Sequence, residues 1–255
     1  FNYNLFTIRS LFGDVRLTEN SKLSSITTSS VDVKPGSLFV PLRGNRDGHD
    51  FIPDALSRNA SAFLCEKNHP ILKELNFEEI QKAIIVDNTL YALGKIGSFH
   101  RSRFQPIIIG ITGSSGKTTT KELMGLIADQ IGKAQVVITE KNYNNEIGVP
   151  FTLLRINEKT KLVVCEMGMN HKSEISRLTA IARPTLSIVT NVGPCHIENL
   201  GSIENIARAK AEIIEGMPAG SKVFIPGDIL FKKVFQEKTK QFKVNIEFFS
   251  GALFH

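Results

Sequence analysis

Ile107-Ile-Ile-Gly-Ile-Thr-Gly-Ser-Ser-Gly-Lys-Thr-Thr119 runs an apolar stretch straight into a glycine-bearing turn and a lysine. Ile107 to Thr112 reads as a buried strand. Thr118 to Ile131 reads as a helix with Leu123, Met124, Ile127, Ala128 and Ile131 on one side. Strand, glycine turn and helix come in the order that aims backbone amides at a phosphate, with the helix N-terminus adding positive potential. The candidate phosphate loop is therefore Gly113, Ser114, Ser115, Gly116, Lys117, Thr118 and Thr119. Lys117 can neutralise outer phosphates, and the Thr118 hydroxyl can ligate magnesium. Ile111 stands where the strict G-x-x-x-x-G-K-[ST] pattern has its first glycine.

Outward from this stretch, apolar runs alternate with helical patterns. Upstream, strands are expected at Ser37 to Leu42, Ala62 to Glu66 and Ala83 to Val86. Helices are expected at Phe51 to Arg58 and Ile71 to Gln81, and a third is capped by Asn88 with Leu90, Leu93 and Ile96 on one face. Downstream, strands are expected at Gln135 to Thr139, Leu162 to Glu166, Leu186 to Thr190 and Val223 to Ile225, with helices at Glu174 to Ala182 and Ile203 to Ile214. This alternation predicts parallel sheets covered by helices, with ligands beyond the C-terminal strand ends. The polar stretch Arg101 to Gln105 before Pro106 suggests a boundary between domains at 1–104 and 105–255. The fold class is α/β: a small N-terminal α/β domain followed by a P-loop-type parallel-sheet domain.

The 255 residues are 42% hydrophobic and 22% charged, an ordinary globular balance that excludes disordered, collagenous and coiled-coil classes. No apolar run reaches the roughly 18 to 20 residues that span a bilayer, and no secretory signal is evident, so the expected compartment is the cytoplasm. The net charge of +6 is scattered, which suits anionic ligands better than a nucleic-acid arm. Cys65, Cys165 and Cys195 are far apart and form no CxxC, so neither a disulfide framework nor a cysteine zinc site is suggested.

Several residues fall at C-terminal strand ends. Glu166 closes an apolar strand where a P-loop domain places a metal-holding acid, although an acid there can also be a solvated cap. His196 follows another strand through Asn191-Val-Gly-Pro-Cys195. Lys210 lies on the apolar face formed by Ile203, Ile206, Ala207, Ile213 and Ile214, an expensive place for a cation that is not neutralised, paired or modified. Snorkelling, or a pair with Glu212 or Glu215, is the plain alternative. Asn142 to Pro150 is too polar for core; Asn144 and Asn145 either make turns or orient phosphates. Arg43-Gly-Asn-Arg-Asp-Gly-His49 is either a charged turn or an anion pocket.

Five segments together resemble the Mur ligases: Thr112 to Thr119, Asn142 to Pro150, Glu166-Met-Gly-Met-Asn170, Thr190-Asn-Val-Gly-Pro-Cys-His196 and Ala209-Lys-Ala-Glu-Ile213. Within that family they are most similar to the branch that joins D-alanyl-D-alanine to UDP-N-acetylmuramoyl-tripeptide. Pro35 to Leu42 and Arg46 to Phe51 resemble that branch's uridine-nucleotide segment. The likeness implies a monomeric, ATP-driven amide ligase of peptidoglycan synthesis, with no role in nucleic-acid binding or membrane insertion. It implies that Lys117 and the loop amides hold ATP, and that Asn144 and Asn145 lie near its phosphates. Thr118 and Glu166 would share one Mg2+, and Glu166, His196 and a carbamylated Lys210 a second. Ser30, Arg46, Asp47 and His49 match positions near the uridine diphosphate.

Two departures accompany the likeness. Ser29-Ser-Val31 replaces the family's usual Asp-Ser-Arg. Measured against the family's three domains, the chain is expected to lack part of the central domain and the whole C-terminal Rossmann-like domain, and so to ligate poorly alone. A ligase adding the third peptide residue is the nearest rival, but Cys195-His-Ile-Glu-Asn199 lacks that enzyme's Asp-His-Leu-Asp-Tyr-His-like stretch. A folate polyglutamate ligase would have no use for the uridine segment. A non-catalytic ATP or UDP-sugar module is the alternative from another class.

Overall fold

A computed structural model describes residues 2–14, 16, 21–128, 130 and 132–250. Two compact units divide between Ile96 and Gly97. In the first unit, β1 (Tyr3–Asn4) leads into α1 (Leu5–Ser10), and β1 pairs antiparallel with β2 (Lys22–Leu23). Four parallel strands then follow in chain order: β3 (Ser25–Thr27), β4 (Ser37–Phe39), β5 (Ala62–Glu66) and β6 (Ala83–Val86). Helix α2 (Ile52–Ser57) links β4 to β5, and α3 (Phe77–Gln81) links β5 to β6. Phe39, Ile52, Ala55 and Phe63 form the centre of this unit's core. Helix α4 (Thr89–Ser102) leaves β6 with the Tyr91 amide donating to Asn88 Oδ1 at 2.9 Å, the cap expected from the sequence.

The division falls inside α4, whereas the composition shift suggested 104/105. The C-terminal half of α4 packs within the second unit: the His100 ring is 2.8 Å from the Ile156 carbonyl, and Arg101 donates to the Arg183 carbonyl. Polar composition marks where a helix stops; it does not mark which core the helix joins.

The second unit is a six-stranded parallel sheet. Its strands are β7 (Ile107–Thr112), β8 (Val136–Ile138), β9 (Leu162–Glu166), β10 (Leu186–Val189), β11 (Lys222–Pro226) and β12 (Asn245–Phe249), in the spatial order β12-β11-β10-β7-β9-β8. The helices between them are α5 (Lys117–Ala128), α6 (Gly148–Leu153), α7 (Glu174–Ala182), α8 (Ile197–Leu200), α9 (Ile203–Ala211) and α10 (Lys232–Phe242). The two-residue period sorts the strand side chains. Ile108, Val163 and Cys165 join one face with Ile175 and Leu178 of α7 and Ile206 of α9, whereas Ile109, Ile111 and Val164 face Met124 of α5. Because the chain leaves β7 for the far edge and then returns to both of its flanks, the ends of β9, β7 and β10 lie side by side, with Ile111 opposite Glu166 and Thr112 opposite Val189. A crevice at such a reversal is where doubly wound sheets bind ligands.

Four expectations need correction. The helix expected over Ile71 to Gln81 is a 3-10 turn at Pro70–Lys73 followed by α3, because Asn76 starts a new helix: its side chain accepts the Glu79 amide while the Glu79 carboxylate accepts the Asn76 amide. Helix α5 turns a different side inward: Leu123 and Ile127 are exposed, while Lys121 and Ala128 are buried. A Cβ on Gly125 would lie 2.9 Å from the tip of the Ile138 side chain, so α5 packs against β8 at this turn. Ile131 lies outside the described residues. Finally, only the front of Asn142 to Pro150 is polar surface; Gly148, Val149 and Pro150 are buried in α6. Strand β4 is also shorter than expected, ending at Phe39.

The reciprocal cap at Asn76 makes a direct prediction. Asn76→Ala lowers the stability of the first unit by about 1 kcal/mol in equilibrium urea unfolding, and an unchanged midpoint would contradict the capping account.

Candidate functional site

The segment after β10 shapes the phosphate loop. A Cβ on Gly113 would lie 1.7 Å from Thr190 Oγ1, so only glycine fits there. Ser114 Oγ donates to the Gly193 carbonyl at 3.0 Å and accepts the Gly193 amide at 2.9 Å. The Ser115 amide donates to Asn191 Oδ1 at 2.9 Å, and Asn191 Nδ2 donates to Ser115 Oγ at 2.6 Å. Thr190 Oγ1 donates to the Ser115 carbonyl at 2.6 Å. The β10 loop thus holds the front of the phosphate loop, while the first amides of α5 lack helical acceptors, as at any helix start. Lys117 Nζ donates to the Gly113 carbonyl at 2.8 Å, folding its charge over the loop.

Beside this loop, Glu166 is 2% exposed at the end of β9. Its amide donates to Thr139 Oγ1, and its carboxylate accepts from Asn144 Nδ2 at 2.9 Å and from Thr118 Oγ1 at 3.2 Å. Three segments distant in sequence therefore converge on Glu166 at the sheet's C-terminal edge, two of them on its carboxylate. A hydroxyl and a carboxylate oxygen this close are a donor set suited to a hard, oxygen-seeking cation such as Mg2+. Asn145 is separate from this cluster: its Oδ1 accepts the amides of Ile147 and Gly148 and starts α6. Of the two asparagines, Asn144 faces the acid and Asn145 makes the turn.

Lys210 on α9 is 2% exposed, the inward cation that its helix pattern implied. Burial pulls its ammonium down to about 8; Cys195 opposes that shift and the positive charge of Lys117 adds to it. Its nearest suggested partners are occupied elsewhere. Glu212 caps the α7 N-terminus by accepting the Ser173 and Ser176 amides, and Glu215 takes Lys238 and the Ser176 hydroxyl. His196 precedes α8 in a left-handed conformation at φ 53°. Among the described residues neither the His196 ring nor the Lys210 ammonium makes a hydrogen bond or ion pair.

In the first unit the expected substrate residues lie at the corresponding strand ends. His49 is fully buried. Its Nε2 accepts the Glu66 amide at 3.2 Å, which places the ring proton on Nδ1, 2.6 Å from Asp47 Oδ1. His69 stacks on it at 4.3 Å and sits 3.5 Å from the other Asp47 oxygen. Asp47, His49 and His69 offer ligand atoms within 4.8 Å of one another, yet both His49 nitrogens are already committed, so hydrogen bonding accounts for the cluster without a metal. Burial pushes the Asp47 carboxyl up, but the His49 amide and ring and Arg43 outweigh it and hold the group at about 2. Arg46 is exposed, its guanidinium 5.5 Å from the centre of the Phe51 ring. Ser30 turns toward α2, where its hydroxyl hydrogen-bonds Asp54. Asp47 and His49 thus set the shape of the loop, Arg46 presents charge from it, and Ser30 braces a helix.

Sequence reasoning missed Thr139, Asn191 and Lys121. The first two are polar residues at strand ends, indistinguishable in sequence from turn formers. Lys121 could have been found by the argument used for Lys210, because it lies three residues after Thr118 on the helix side that also carries Met124 and Ala128.

Comparison with known proteins agrees with this geometry. A family model described as the Mur ligase middle domain matches residues 111–252, more than half of the chain, and one described as the Mur ligase family, catalytic domain, matches residues 22–101. The UDP-N-acetylmuramoyl-tripeptide--D-alanyl-D-alanine ligase of Bacillus subtilis is 35% identical over 226 residues, covering 88% of this chain and 48% of that protein. The ligase of the same name from Synechocystis is 38% identical over 229 residues, covering 89% and 49%. A crystal structure of MurF from Acinetobacter baumannii superimposes with a TM-score of 0.85 at 27% identity, covering 98% of this chain and 53% of that one. MurF ligase from Thermotoga maritima in complex with ADP gives 0.77 at 29% identity, covering 89% and 50%. The chain spans about half the length of the curated relatives it matches. With both units matched in order, the chain belongs to the Mur ligase family.

Proposed function

We propose that the chain carries the substrate-binding and ATP-binding parts of an amide ligase of peptidoglycan synthesis. That enzyme joins D-alanyl-D-alanine to UDP-N-acetylmuramoyl-tripeptide and acts as a monomer in the cytoplasm. The observation that carries the reading is the convergence of Thr118 and Asn144 on Glu166 beside Lys117, in a chain whose relatives bear that ligase's name. Residues 1–104 would bind the UDP-sugar peptide, with Arg46 toward its diphosphate on a loop braced by Asp47 and His49 and with Ser30 in the neighbouring turn. Residues 105–255 would bind ATP.

In this reading the peptide's terminal carboxylate attacks the γ-phosphorus of ATP, the bond to the β-phosphate oxygen breaks, and an acyl phosphate and ADP result. The amine of D-alanyl-D-alanine then adds to the acyl carbon, the tetrahedral intermediate expels phosphate, and the nitrogen gives up a proton, leaving the amide. The α5 amides and loop residues Gly113 to Thr119 orient the phosphates, and Lys117 exchanges the Gly113 carbonyl for a phosphate oxygen. Asn144, next to the phosphates, keeps Glu166 turned toward Thr118, while Asn145 holds the start of α6. Thr118 and Glu166 would hold one Mg2+, and Glu166, His196 and a carbamylated Lys210 another; such ions neutralise charge on the transferring phosphoryl group. Lys210 fits that role because it is buried with no hydrogen bond or ion pair among the described residues. Its uncharged amine can attack carbon dioxide and lose a proton, replacing a buried cation with an anion.

The first test is calorimetric titration with UDP-N-acetylmuramoyl-tripeptide, with UMP as control, in magnesium and a non-hydrolysable ATP analogue. Saturable binding stronger than that of UMP is expected. Binding no stronger than UMP, by a folded chain that holds the analogue, would refute the substrate assignment.

A second test uses the sign of the Lys210 shift. Its folded value of about 8 lies below the ordinary 10.5, so the unfolded chain holds more protons between those values and the protein's stability rises with pH across that window. In carbonate-free buffer Lys210→Met should therefore be more stable than the parent by roughly 2 to 4 kcal/mol below pH 8, with the difference fading by about pH 10.5. A pH-independent difference would contradict the buried-ammonium account.

A further inference from the structure

Lys121 is 1% exposed on α5, one helical turn after Thr118, and none of the roles above uses it. Its ammonium has three partners, two of them at the site and one, Glu122, at the surface of the same helix. Nζ donates to the Lys141 carbonyl at 3.2 Å, lies 3.1 Å from Glu122 Oε1 and approaches Glu166 Oε2 at 3.9 Å. Lys141 opens the loop that delivers Asn144, and its backbone is left-handed at φ 47°, a conformation that costs a non-glycine residue roughly 1 kcal/mol. The Asn144 carbonyl in turn accepts the Gly168 amide at 2.8 Å, just past the end of β9. The loop is therefore held at its start by Lys121 and further along by Gly168, with Asn144 aimed at Glu166 between them.

A lysine this deep has given up its hydration, and only fixed partners offset that loss. The exposed face of α5 would have accepted it at no such cost, as it accepts Glu122. What the inward position adds is a cation that cannot diffuse away. It balances the buried Glu166 carboxylate and fastens the strained start of the Asn144 loop at once.

We propose that Lys121 is a positioning residue that fixes the loop of residues 140–147 and the Glu166 carboxylate in the arrangement onto which the magnesium nucleotide docks. The proposal rests on the reading of Glu166 as a metal ligand only for its second half; the ordering of the loop stands on the contacts alone.

The test compares Lys121→Met, Lys121→Arg and Glu166→Gln with the parent chain by two measurements. The first is amide hydrogen exchange over residues 141–148 without nucleotide, with exchange elsewhere as the control for global unfolding. The second is affinity for ADP with magnesium and with chelator. For Lys121→Met, faster exchange confined to this loop and an about tenfold or greater loss of the magnesium-dependent part of ADP affinity are expected, with affinity in chelator unchanged. Lys121→Arg should restore both. Exchange in Lys121→Met equal to the parent's, or faster exchange spread evenly over the second unit, would overturn the proposal. If the Met variant does not fold, Lys121→Gln supplies the same comparison. If Glu166→Gln leaves the magnesium dependence intact, the metal reading of Glu166 falls, and the exchange comparison still decides the role of Lys121.

Discussion

A carboxylate buried at the end of a parallel strand is the constraint on which this site depends. Glu166 is 2% exposed, and stripping a carboxylate of water costs several kcal/mol unless other groups replace the lost hydration. The replacements come from three side chains, Thr118 and Lys121 on α5 and Asn144 on the loop before α6, while Thr139, just past β8, accepts the Glu166 backbone amide and fixes the strand end. These elements are neighbours because β9 lies between β7, which leads into α5, and β8, which leads into the Asn144 loop. The fold order therefore acts directly on the chemistry. A slip of one residue in the pairing of β7 with β9 would turn Glu166 to the other face of the sheet and leave its donors without an acceptor.

The same logic extends across β7 to β10. Thr190, Asn191 and Gly193 hold the front of the phosphate loop through side-chain and backbone hydrogen bonds, so Ser114 and Ser115 present a shaped turn rather than a flexible one. Behind it, Lys117 and Lys210 bring two positive charges toward one region, and the burial of Lys210 leaves a larger share of its amine uncharged near neutral pH than in a surface lysine.

Much of this was legible in the sequence, for physical reasons that differ by residue. The strands at 62–66, 83–86, 107–112 and 162–166 declared themselves through short apolar runs, which a buried parallel strand requires. Lys210 was visible because a 3.6-residue period assigns each helix position to a face, and a charge on the apolar face stands out. The period misled at α5, where Leu123 and Ile127 of the expected stripe lie outward and Lys121 turns inward with Ala128. It also ran one helix across Asn76, whose cap broke it in two. The unequal fates of Asn144 and Asn145, one on the acid and one in a turn, follow from backbone geometry between adjacent residues of the same type. The residues themselves left turn-making and phosphate contact open for both, and only the family resemblance placed both near the phosphates.

The central claim is that Glu166, Thr118 and Lys117 form one prearranged phosphate and metal site. A crystal structure of the chain with magnesium and a non-hydrolysable ATP analogue tests it most directly. The account predicts a metal ion held by Thr118 Oγ1 and reached by the Glu166 carboxylate directly or through one water, with Lys117 Nζ moved from the Gly113 carbonyl to a phosphate oxygen. A nucleotide bound elsewhere, or bound here with Lys117 still on Gly113 and no metal at Glu166, would contradict it.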